Sequence, residues 1–212
     1  MRIAVLAESP ADREVVAVLV EAVLRETVDV AHEPVLEVQG WPQVVHALPA
    51  VIRHLHYRST VEGLIVLADS DDAPLEEGDR GSTGSGLRGE PRLSSLQRSI
   101  QNTQSSLRSA RPQPLRVAVA LAVPALEAWL LHGVDNSVGE ANWLQARSEG
   151  RLPYTRADLK RKVYGSDRPS LHTATRVGLA EAARVAARID TLAQFFPRGF
   201  GRFADELRSW KH

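Results

Sequence analysis

Apolar and polar positions fall into blocks whose spacing changes along the chain. Residues 2–7, RIAVLA, form an apolar run of strand length. Ser9-Pro10 follows, and in ADREVVAVLVEAVLR the residues Val15, Leu19 and Val23 recur four apart, as do Val16, Val20 and Leu24. That spacing predicts a helix with a wide apolar face. Residues 33–39, EPVLEVQ, alternate as a second strand would. Residues 42–58 place Val44, Leu48, Val51, Ile52 and Leu55 on one helix face, and residues 63–68, GLIVLA, predict a strand buried on both sides. A β-α-β-α-β order favours a parallel sheet with covering helices.

The character changes over residues 72–92, DAPLEEGDRGSTGSGLRGEPR, which predict a long flexible loop. Leu93, Leu96, Ile100 and Leu107 then fit an amphipathic helix, and residues 115–123, LRVAVALAV, a fourth buried strand. Pro124 is expected to open a helix through ALEAWLLHG, with Gly133 as its stop. Beyond about residue 139 only helices are expected, near 155–163, 177–190 and 200–210. The expected fold is α/β: a mostly parallel four-stranded sheet flanked by helices over residues 1–138, with a basic helical extension, residues 139–212, packed on it.

At 212 residues the chain is long enough to bury a core without staples. It has no cysteine, which excludes disulfides, thiolate catalysis and cysteine-based zinc sites. No apolar run reaches the roughly 18 residues of a membrane span. The start, MRIAVLAESP, lacks a signal peptide's long apolar segment, so a cytoplasmic location without membrane contact is expected. Lys and Arg number 26, as do Asp and Glu, yet the balance is uneven. Residues 1–90 carry net −9, residues 91–142 net +2 and residues 143–212 net +7. A basic half beside an acidic one points to a polyanion surface, with solvated arginine-rich helices as the plain alternative.

Acids sit at the predicted strand ends, where parallel sheets bind ligands. Glu8 follows the first strand, Asp69-Ser70-Asp71-Asp72 the third, and Glu127 lies one helical turn beyond the fourth. Gathered carboxylates need a cation among them. Hard oxygen ligands suit Mg²⁺ or Mn²⁺, which also engage phosphates. Plain readings exist for some of these acids. Asp12 completes a Ser9-x-x-Asp12 capping box with Pro10 at the first helical position. Glu127 in a helix's first turn suits the dipole. Three acids after one strand exceed what a turn requires.

Glu8-Ser9-Pro10-Ala11-Asp12 after a first strand resembles the acidic loop of Toprim domains, and LADSDD resembles their D-x-D strand end. The order Glu8, Asp69-x-Asp71 and PALEAWLLHG, with the tail FFPRGFGRF, is similar to Toprim-like nucleases of the overcoming-lysogenisation-defect class and a related small bacterial family. Ser9 stands where Toprim domains carry Gly, and Asp12 where they carry Glu. The resemblance implies a Toprim/Rossmann-like sheet and a Mg²⁺- or Mn²⁺-dependent nuclease acting on DNA or RNA, in an anti-phage or mobile-element setting. By this resemblance Glu8 is a metal ligand or general acid/base. Asp69 and Asp71 hold Mg²⁺, Glu127 and Asp12 complete a second metal site, and Lys160 or Lys162 stabilises charge. Arg156, Arg161, Arg198 and Arg202 are candidates to track a phosphate backbone. The same resemblance allows a non-catalytic module that regulates a partner ATPase. The chain itself lacks a Walker motif, and a homodimer is a further assembly to test. A small-molecule phosphate-ester hydrolase is a minor alternative.

Other signals carry less. Gly84-x-Gly86-x-x-Gly89 sits in a polar loop rather than between strand and helix, so it reads as linker. His54 and His56, two apart on a helix, face different sides. Asp69-Ser70-Asp71-Asp72-Ala73 differs from the haloacid-dehalogenase motif at Ala73. Trp129, Trp143 and Trp210 read as packing rather than base-stacking platforms.

Overall fold

A computed structural model describes residues 1–31, 40–76 and 89–211. The chain forms β1 (Arg2–Leu6), α1 (Pro10–Leu24), β2 (Asp29–Val30), α2 (Trp41–Arg58), β3 (Gly63–Asp69), α3 (Arg92–Ser105) and β4 (Arg116–Ala122). The four strands make one all-parallel sheet in the order β2-β1-β3-β4. The predicted strand at 33–39 lies outside the described residues, as does most of the predicted loop with Gly84 and Gly86. The strand that pairs with β1 on that side is Asp29–Val30.

Side chains alternate across the sheet and build two cores. Ile3, Val5, Ile65, Leu67, Ala118 and Ala120 face a core shared with α1. Ala4, Leu6, Leu64 and Val66 face the other, filled by Val44, Leu48, Ile52 and Leu55 of α2 and by Leu96 and Ile100 of α3. Period-two alternation with both faces apolar is why these strands read as continuous hydrophobic runs. The chain leaves β1 toward β2 through α1, then reverses direction to β3 and β4 through α2 and α3. A fixed crossover hand therefore puts α1 on one face and α2 and α3 on the other. The reversal makes the gap between β1 and β3 the topological switch point.

The remaining helices are α4 (Leu126–Leu130), α5 (Glu140–Ser148), α6 (Arg156–Tyr164), α7 (Leu171–Ala186), α8 (Ile189–Phe195) and α9 (Arg202–Ser209), with a π-helical segment at Pro197–Gly201. Phe196, Phe200, Phe203, Leu207 and Trp210 belong to the same core as β1, α1 and β4. The C-terminal helices thus share one core with the sheet. Gly199 shows how closely they approach: a Cβ there would meet Leu121 O at 2.6 Å. The buried Glu140 carboxylate accepts the backbone N–H groups of Arg198 at 2.9 Å and Gly199 at 2.7 Å. Trp129, Trp143 and Trp210 are all buried, as the packing reading expects. Among the described residues no helix is long and apolar enough to cross a membrane.

Candidate functional site: an acidic cleft at the switch point

Each acid reaches the carboxyl edge of the sheet for a local reason. Glu8 lies in the short turn between β1 and α1. Ser9 is extended and caps α1, its Oγ accepting the Asp12 N–H at 3.1 Å. Asp12 thus serves the cap through its backbone while its carboxyl lines the cleft. Asp69 ends β3 in register with Ala122 of β4. The Ser70 N–H then bonds Ala122 O at 2.7 Å, and the Asp71 N–H bonds Pro124 O at 2.9 Å. These bonds turn the chain sharply and leave Asp71 at φ 47°, a left-handed conformation that Asp tolerates better than most residues. The helix expected from Pro124 begins later, at Leu126. Its second residue is Glu127, and the Leu126 N–H donates to Asp69 Oδ1 at 3.0 Å.

Glu8, Asp12, Asp69 and Glu127 therefore line one cleft of about 420 Å³ together with Arg156, Lys160 and Tyr164. Asp71 stands beside it, and its two oxygens are claimed by two arginines. Arg156 Nη1 is 3.0 Å from Oδ1, and Arg92 Nη1 is 2.9 Å from Oδ2. Arg156 also bonds Asp69 Oδ2 through its other terminal nitrogen, and Arg92 bonds the Asp69 carbonyl. Arg92 rests on the Trp41 ring, 4.9 Å from its centroid. Thr155 caps α6 with a reciprocal capping box to Asp158, which fixes Arg156 as the helix's first residue.

Burial dominates the electrostatics. Burial pushes Asp69 well above the usual carboxylate range; Arg156 pulls it down, while Glu127, Asp12 and Glu8 add to the rise. Burial likewise raises Glu127, Asp12 and Glu8. Burial alone would lower Arg156, but the charges of Asp69, Asp71, Glu127 and Glu8 outweigh it and hold its guanidinium more firmly protonated. Tyr164 is raised by burial and by the charges of Glu127, Asp12 and Asp69, so its hydroxyl stays neutral and able to donate.

The donor chemistry suits a hard divalent cation, because buried carboxylates under mutual repulsion gain most from added positive charge. In the present arrangement Arg156 takes the place between Asp69 and Asp71. Among the described residues no group of three or more Asp, Glu or His side chains is placed to hold a metal ion.

The other expected residues divide. Lys160 lines the cleft and its charge lowers both Asp12 and Glu127. Lys162 does not: it bonds Asp135 at 2.5 Å and, with Ser137, holds that carboxyl down at about 2. Two residues apart on a helix, Lys160 and Lys162 cannot share a face. Arg161 is held at the surface by Asp158 and Asp167. Arg198 and Arg202 both reach Glu76 rather than the cleft acids. His56 is buried and bonds the Arg108 carbonyl, while His54 is exposed. The sequence reading missed Arg92 and Tyr164, and assigned Arg156 to phosphate alone. Arg92 lies 21 residues beyond Asp71, too far along the chain for a spacing rule to single it out. No family model, no curated protein and no solved structure matches this chain.

Proposed function

We propose that the acidic cleft is the site of a Toprim-like, divalent-metal-dependent phosphodiesterase acting on DNA or RNA in the cytoplasm. The observation that carries the reading is the convergence of Glu8, Asp12, Asp69 and Glu127, from two strand ends and the first turns of two helices, at the switch point beside Arg156 and Lys160. Glu8, Asp69 and Asp71 would hold Mg²⁺ or Mn²⁺, with Asp12 and Glu127 available to a second ion. When bound, such an ion polarises a phosphoryl oxygen and lowers the pKa of water. The chain's own residues do the rest. Arg156 and Lys160 offer charge-assisted hydrogen bonds to phosphate oxygens. Glu8 serves either as a ligand of that ion or, protonated and off the ion, as the acid for the leaving oxygen. Tyr164 can donate to the substrate. Arg161 on the outer face of α6 continues the positive path for a backbone.

The test is a nicking and degradation assay on single- and double-stranded DNA and RNA with Mg²⁺, Mn²⁺ or EDTA. Metal-dependent cleavage that Asp69→Asn abolishes is the expected result; full cleavage by Asp69→Asn overturns the assignment.

One observation favours a second reading. Arg156 and Arg92 already neutralise Asp69 and Asp71 within the chain, an arrangement suited to a non-catalytic module that regulates a partner ATPase. That reading expects no cleavage by the isolated chain under any metal condition, and activity only after an ATPase partner is co-purified.

A further inference from the structure

A cavity of about 650 Å³ opens at the amino edge of the sheet and shares no lining residue with the acidic cleft. Its walls come from the end of α2, the end of α3 and the loop after it, the start of β4, and α9. Arg108, Arg111 and Arg116 all line it, and Glu206 is the one carboxylate in its wall among the described residues. None of the three arginines forms an ion pair among the described residues, whereas Arg92, Arg147, Arg156, Arg161, Arg198 and Arg202 all do.

Two polar atoms of this wall are buried without partners. Arg111 donates from Nη2 to Val61 O at 2.7 Å, while its Nη1 has no acceptor. His56 is 7% exposed and lies 2.9 Å through Nε2 from Arg108 O. A carbonyl can only accept, so Nε2 carries the proton and Nδ1 is left as an unused acceptor. Guanidiniums gathered on one cavity also repel until an anion joins them. The guanidinium fork matches a phosphate bidentately. Leu107, Leu115 and Val117 give the rest of the cavity an apolar side, and its volume falls within the range of small-molecule sites, about 300–1,000 Å³.

We propose that this cavity binds a small phosphate monoester of mononucleotide size. Its phosphate rests on Arg108, Arg111 and Arg116, and its carbon skeleton lies along Leu107, Leu115 and Val117. The proposal does not depend on the acidic cleft being catalytic.

Isothermal titration with AMP, adenosine and inorganic phosphate tests it, in EDTA so that no divalent ion can recruit phosphate to the acidic cleft. Expected are AMP binding, a weaker response to phosphate, none to adenosine, and a loss of about tenfold or more in AMP affinity in each of Arg108→Gln and Arg116→Gln. Arg111→Gln is judged with its urea midpoint, because Arg111 also ties down Val61. The proposal is overturned by the absence of AMP binding, or by AMP affinity unchanged in Arg108→Gln and Arg116→Gln. It is equally overturned if a short oligonucleotide binds through these arginines while AMP does not, since the surface would then track a nucleic-acid backbone.

Discussion

At the carboxyl edge of the sheet, Glu8, Asp12, Asp69, Asp71 and Glu127 meet Arg156, Arg92 and Lys160; at the amino edge, Arg108, Arg111 and Arg116 face a cavity with only Glu206. The first cluster answers most of its charge from within the chain and stays strained by burial. Among the described residues the second forms no ion pair through its three arginines. Both are gatherings of like charge, which folding alone does not favour. The difference lies in how each is resolved. The acidic edge uses an internal cation that a divalent ion could replace, and the basic edge leaves room for an anion from outside. The zero net charge of the chain hides both, because it is a cancellation between its acidic first part and basic remainder.

The largest effect should come from removing the acid that both arrangements share. Asp69→Ala strips Arg156 of one partner and the Leu126 N–H of its acceptor. Breaking a buried pair costs about 3–5 kcal/mol. Arg156 is 40% exposed here, so about 2 kcal/mol is expected by urea denaturation. Cleavage, where present, should fall about 10²–10³-fold or more. Asp135→Ala, which removes an exposed pair with Lys162, should change stability by less than about 1 kcal/mol. Similar losses from the two substitutions would erase the contrast between buried cleft and surface.

Arg156→Gln is the next test. Without its guanidinium the cleft carboxylates lose their main countercharge, so the variant in EDTA should lose about 1–2 kcal/mol. Mn²⁺ should recover more stability in the variant than in the wild type, by linkage to binding. An equal response to Mn²⁺ in both proteins would mean that Arg156 and a metal do not compete.

The pH dependence follows from the raised carboxyls. A carboxyl raised in the folded state holds its proton longer folded than unfolded. Its contribution to stability is complete below the unfolded pKa and is lost as pH rises through the folded value. The window therefore runs upward from the ordinary carboxylate range near 4. Exposed acids such as Asp135, which is held low, act in the opposite direction. The clean measure is the difference between wild type and Glu127→Gln in metal-free buffer. Glu127→Gln should gain stability relative to wild type as pH rises above the ordinary carboxylate range. A constant difference across pH would remove Glu127 from the strained set.

A further effect is expected at the cap that aims Arg156. Thr155→Ala removes the N-cap of α6 and should cost about 1 kcal/mol. It should also weaken the Asp69–Arg156 pair, so its cost should shrink in an Arg156→Gln background, a coupling that a double-mutant cycle reads directly.

Much of this was written in the chain. The apolar runs of β1, β3 and β4 and the four-residue spacing of α1 mark both the elements and the edge where Glu8, Asp69 and Glu127 gather, because burial on two faces leaves little freedom in composition. Short pieces held by their neighbours were not legible. β2 is two residues long, and α5 was missed because its buried Glu140 and Arg147 look like surface charge. The Pro197–Gly201 segment is fixed by contacts to β4 and Glu140 rather than by its own periodicity. At the site, the acids were readable from strand ends. Their cations were not, since Arg92 and Arg156 reach Asp71 from 21 and 85 residues away. The loss of Lys162 from the cleft was readable in principle, from its two-residue offset to Lys160.

The most direct test is a crystal of the protein soaked in Mn²⁺ and measured for anomalous scattering. A peak bound by Glu8, Asp69 and Asp71, with the Arg156 guanidinium displaced from between the two aspartates, is the predicted result. Arg156 still bridging Asp69 and Asp71, with no anomalous peak in the cleft, would contradict a metal-dependent site.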